Sequence, residues 1–154
     1  MKKLTALIFA LIFLLSLAGC SRYTADEPLP DALPNVWGVT LEAENVTRKG
    51  LTILCHHSGG KDVTNLLSGS YFVIQKSEGA DWVDVDYIIQ DSSISWTDIG
   101  LIIEKESTTT WEVNWQQLYG KLPAGKYRIG KEIMNLRAPG DYDTELLYAY
   151  FIIT

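Results

Sequence analysis

The chain has 154 residues, 47% of them hydrophobic and 21% charged, with 13 Lys and Arg against 19 Asp and Glu for a net charge of −6. That length supports one hydrophobic core and not two. The acidic balance argues against nucleic acid as a partner: phosphate backbones repel such a chain, and no basic stripe with interleaved aromatics occurs after residue 22.

The N-terminus carries Lys2 and Lys3, then an uncharged apolar run from Leu4 to Ala18. This is the layout of a secretory signal peptide, and the run is shorter than the ~20 apolar residues a spanning helix needs. It ends in Leu17-Ala18-Gly19-Cys20, which resembles the lipobox of bacterial lipoproteins. The resemblance implies diacylation of the Cys20 thiol and cleavage before it, which puts the mature protein on the outer side of the cell membrane with a lipid as its anchor. Removing residues 1–19 takes two of the 13 basic residues and none of the 19 acidic ones, so the net charge moves from −6 to −8. Only Cys55 then remains besides Cys20, and one thiol cannot form an intramolecular disulfide.

Residues 20–35 read as the lipidated cysteine and a flexible tether, polar and punctuated by Pro28, Pro30 and Pro34 without apolar periodicity. Residues 36–154 read as the folded domain. Their dominant signal is short period-two alternation broken by Gly, Ser, Asn and Asp clusters, the pattern of half-buried strands. Trp37, Val39, Leu41 and Ala43 share the first face, and Leu51, Ile53 and Cys55 the second. A third run is Tyr71 to Ile74. A fourth is Trp82 to Ile89, which alternates Val83, Val85, Tyr87 and Ile89 against Asp84 and Asp86. Ile99 to Ile103 is a further candidate. Trp111, Val113 and Trp115 come next, then Tyr127, Ile129 and Ile133, and finally Leu147, Ala149, Phe151 and Ile153. A single helical turn is expected at Gln116 to Tyr119. The prediction is an all-β, immunoglobulin-like β-sandwich of about seven or eight antiparallel strands, with a closed barrel as its main competitor.

Leu122-Pro123-Ala124-Gly125-Lys126-Tyr127-Arg128-Ile129 has the form of a tyrosine corner, in which a tyrosine hydroxyl reaches back to upstream backbone. Together with Trp111, Trp115, Tyr119 and Gly120 it resembles a bacterial Ig-like domain family. Members occur in Gram-positive envelope lipoproteins and appended to membrane-embedded metallopeptidases of the antibiotic-sensor type. The resemblance implies the sandwich fold and an envelope location; it implies no enzymatic activity and no cofactor.

Three constellations are candidates for function. Cys55-His56-His57 holds both histidines of the chain. It offers the ligand types for copper or zinc, and a thiol hydrolase would use Cys55 and His57, since residues two apart on a strand share a face. The competing expectation is a buried, inert Cys55. Asp81, Asp84, Asp86 and Asp91 lack the spacing of a calcium loop and read as a solvated face. In the last strand, inward Ala149 and Phe151 leave Tyr148, Tyr150 and Ile152 facing out as an aromatic strip, a candidate partner face. The expected function is a non-catalytic, membrane-anchored binding module for an envelope protein, peptide or glycan.

Overall fold

In the computed structural model the period-two pattern becomes antiparallel strands, and the described residues are 28–89, 94–97 and 99–154. The expected signal peptide, the lipidation site Cys20, the tether up to residue 27 and Asp91 lie outside the described residues. The strands are β1 (Val39–Glu44), β2 (Gly50–His57), β3 (Asn65–Ser68), β4 (Val73–Glu78), β5 (Asp81–Asp84), β6 (Leu101–Ile102), β7 (Ser107–Asn114), β8 (Gly125–Ala138) and β9 (Asp141–Ile153). One helical turn, α1 (Gln116–Tyr119), precedes β8.

The strands form two antiparallel sheets. The smaller has the order β1-β2-β7. The larger is organised by β8, whose 14 residues are long enough to serve two partners end to end on one side. Its first half pairs with β4 and its second half with β3, while β9 runs along its other side. β5 extends the sheet beyond β4, and β6 extends it beyond β3.

The core lies between these layers because alternate residues of both sheets point at each other. Val39, Leu41, Leu51, Ile53, Cys55 and Trp111 supply it from the smaller sheet. Leu66, Ile74, Tyr127, Ile129, Ile133, Ala149, Phe151 and Ile153 supply it from the larger. Trp115 and Tyr127 stack on Phe151 at centroid distances of 5.7 and 5.6 Å. Each such buried large side chain contributes about 1.5–3 kcal/mol of transfer free energy. At one end the chain crosses itself closely. A Cβ on Gly38, at φ +75°, would lie 2.3 Å from the Ser58 carbonyl oxygen, so only glycine fits there.

The strand count rises to nine among the described residues, against the seven or eight expected. β3 escaped the sequence pattern because it is four residues long with two adjacent leucines, which show no alternation. The run from Trp82 to Ile89 is a strand only as far as Asp84, where pairing with β4 ends. Past that point Val85 and Tyr87 still pack on the core, whereas Val83 is exposed. Of Ile99 to Ile103 only Leu101 and Ile102 are strand; Ile103 is buried and Ile99 exposed.

Candidate functional site: the outer face of the larger sheet

β2 divides Cys55-His56-His57 between two faces, as an extended backbone must. Cys55 points inward, is 0% exposed, and burial pushes its thiol up to about 12, so thiolate is negligible at neutral pH. His57 shares that face at 2% exposure; its Nδ1 donates to the Glu104 carbonyl at 3.2 Å, and its Nε2 is buried with no partner among the described residues. His56 points outward, 2.9 Å from Thr108 Oγ1 and 3.4 Å from Glu42 Oε2. The three residues therefore do not converge. Among the described residues no group of three His, Cys, Asp or Glu side chains is placed to hold a metal ion.

The residues of the expected tyrosine corner pack at the base of the sandwich. Tyr127 donates its hydroxyl to the Pro123 carbonyl at 3.0 Å, four residues upstream. Leu122 is buried beside it, and a Cβ on Gly125 would crowd the Tyr127 ring at 3.2 Å. Trp115 donates Nε1 to the Arg48 carbonyl at 3.1 Å, and Arg48 donates Nε to the Leu122 carbonyl at 2.9 Å, tying the β1–β2 turn to the start of β8. Trp111 is a core residue whose ring lies 5.5 Å from the Lys131 ammonium. These residues hold the fold and offer no open chemistry.

The outer face of the larger sheet is different. Ala149 and Phe151 are buried, so Tyr148 and Tyr150 project outward half-buried and Ile152 is 44% exposed. Register carries this strip across the sheet. Asp84 pairs with Gln75, Gln75 with Arg128, and Arg128 with Tyr150, making one row over four strands. Gln75 Nε2 donates to Asp84 Oδ1 at 2.6 Å, and Gln75 Oε1 accepts from Arg128 Nε at 2.6 Å. The next row is Val73, Gly130 and Tyr148. A Cβ on Gly130 would lie 2.8 Å from Val73 and 3.0 Å from the Tyr148 ring, so the missing side chain is what lets that ring settle onto the sheet.

Trp82 on β5 leans over this row. Its ring is 5.5 Å from that of Tyr150 and 4.8 Å from the Arg128 guanidinium carbon, which lies 3.9 Å from the centre of Tyr148. Such contacts contribute about 0.5–1 kcal/mol each where water reaches them. Among the described residues Arg128 takes part in no ion pair. No single run of the sequence joins Trp82, Gln75, Asp84 and Arg128 into a site, and of these only Asp84 is expected on a solvated face. One signal was present: Trp82 alternates in phase with Asp84 and Asp86, on the solvated side of its run.

The strip continues into a groove of about 280 Å³ bounded by Leu146, Leu147, Tyr148 and Tyr150 on β9, by Val39 to Leu41 on β1, and by Asp31 to Leu33. Asn35 anchors the incoming chain beside it, donating Nδ2 to Glu145 at 2.8 Å.

Comparison with known proteins agrees with this architecture. No curated protein and no solved structure shows a match. The family model described as bacterial Ig-like domain matches residues 33–151, which spans both sheets and the outer-face cluster, and the chain therefore belongs to the bacterial Ig-like domain family.

Proposed function

We propose that this protein is a membrane-tethered interaction module that acts without catalysis, holding an envelope component against the outer face of its larger sheet. The observation that carries the reading is the joined set Trp82, Arg128, Tyr148 and Tyr150, three aromatic rings gathered around one guanidinium and kept at the surface of an already complete core. Trp, Tyr and Arg are the residue types that concentrate binding energy at contact surfaces. An interaction role also suits the Ig-like family, in which a rigid sandwich presents its faces and edges.

In this reading the fatty-acylated Cys20 fixes the domain to the outer side of the cell membrane, and the chain from Cys20 to Asn35 acts as its leash. The layout of residues 1–20 supports it. A hydrolase built on Cys55 and His57 lacks support, because both side chains are buried in the core, where no substrate reaches them, and burial keeps the thiol protonated.

The test has two parts. The wild-type N-terminal peptide should begin at Cys20 and carry acyl mass, and Cys20→Ala should abolish both the acyl mass and the cleavage. In residues 21–154 produced without the leader, Trp82→Ala combined with Tyr150→Ser should abolish retention by isolated envelopes while leaving the melting temperature within a few degrees. Undiminished retention contradicts the assignment of the face.

A further inference from the structure

The composition of this face also bears on the chemistry of its ligand, an inference that rests on the reading of the face as the contact surface. We infer that the larger sheet is a saccharide platform, which takes a neutral glycan built of pyranose rings. Sugar faces would stack on the rings of Trp82 and Tyr150, and sugar hydroxyls would bond to the row formed by Asp84, Gln75 and Arg128.

Three observations lead there. First, the polar row mixes a carboxylate acceptor, an amide that both donates and accepts, and a guanidinium donor, already fixed by bonds of 2.6 Å. A hydroxyl needs a donor and an acceptor side by side, because it is both itself. A site for an anion would present donors alone, and a site for a cation acceptors alone.

Second, the row is charge-balanced, with Arg128 and Asp84 in one line across the strands, and the chain around it carries a net charge of −6. That background discourages anionic polymers. Any ligand that covers the charged row has to replace its water with hydrogen bonds of its own. A sugar replaces that water with hydroxyls.

Third, the geometry is a platform and not a pit. Tyr148 and Tyr150 stand two residues apart on one strand, about 7 Å along it. Trp82 lies beside Tyr150, and the groove between Tyr148, Tyr150 and residues 31–33 continues the surface past the sheet edge. An extended chain of sugar rings has both length to follow this surface and alternating apolar and hydroxylated faces to match it.

The experiment is isothermal titration of the detergent-solubilised full chain with neutral tetra- to hexasaccharides of glucose and of N-acetylglucosamine, and with a polyanionic saccharide of similar length. The expected result is saturable binding of at least one neutral series that tightens with chain length, and none for the polyanion. Trp82→Ala and Arg128→Gln should each weaken it about tenfold, whereas Thr108→Ala, on the smaller sheet, should leave it unchanged. Binding that survives Trp82→Ala, or failure of every neutral sugar to bind, overturns the saccharide assignment. In the latter case the envelope-retention assay separates the two ideas: loss of retention in the Trp82 and Tyr150 variant keeps the contact face with a ligand of another class, and undiminished retention removes both.

Discussion

Cys55-His56-His57 and the cluster of Trp82, Arg128, Tyr148 and Tyr150 invert each other. The first is contiguous in sequence and is split by its strand, with the thiol and one imidazole facing the core and the other imidazole facing water. The second is scattered over nearly 70 residues of sequence and is gathered by register onto one face. In a β-protein, adjacency along a strand separates side chains and pairing between strands unites them, so chemistry has to be sought across the sheet.

The sharpest contrast is between neighbours. Phe151→Ala, on the inner face, should cost about 3–5 kcal/mol in urea denaturation by emptying the aromatic stack with Trp115 and Tyr127. Tyr150→Ser, one residue earlier and facing out, should cost no more than about 1.5 kcal/mol. Equal costs would mean that the outer cluster is structural.

The same contrast applies to the two cations of β8. Lys131 faces inward, 4% exposed, donating its ammonium to the Gly69 and Tyr71 carbonyls, and burial holds its pKa down at about 8 against an ordinary 10.5. The unfolded chain therefore binds more protons than the folded one between these two values, so stability should rise with pH from about 8 to 10.5, by up to about 3 kcal/mol. Lys131→Met should remove the Lys131 contribution to that rise, and Arg128→Gln, on the outer face, should leave it in place. Chemical denaturation across the pH range reads both.

Cys55 supplies the next comparison. Its thiol should react with Ellman's reagent only after unfolding, and Cys55→Ser should cost about 1–3 kcal/mol by placing an unsatisfied hydroxyl in the core. Rapid labelling of the native protein would reopen a role for that residue. The smallest effect expected is that of Tyr127→Phe, about 0.5–1.5 kcal/mol for the lost bond to Pro123.

What could be read from the sequence follows the same division. The core was legible wherever apolar residues alternate, as in Val39 and Leu41, Leu51 to Cys55, and Ala149 to Ile153, because burial on one face imposes period two. The tyrosine corner was legible because its parts lie within eight residues. β3 was not, since four residues with paired leucines carry too little pattern, and β6 is shorter still. The strip at Tyr148, Tyr150 and Ile152 could be deduced from one strand. Its extension to Arg128, Gln75, Asp84 and Trp82 could not, because it depends on which strands are neighbours and on their register, and no single stretch of sequence encodes that.

The most direct test of the outer face as the contact surface places a photoreactive amino acid at position 150 and, in a separate protein, at position 108 on the outer face of the smaller sheet, each irradiated in living cells. The expected result is a discrete cross-linked envelope species from position 150 and only background from position 108. Equal cross-linking from both, or a species from position 108 alone, would contradict the assignment.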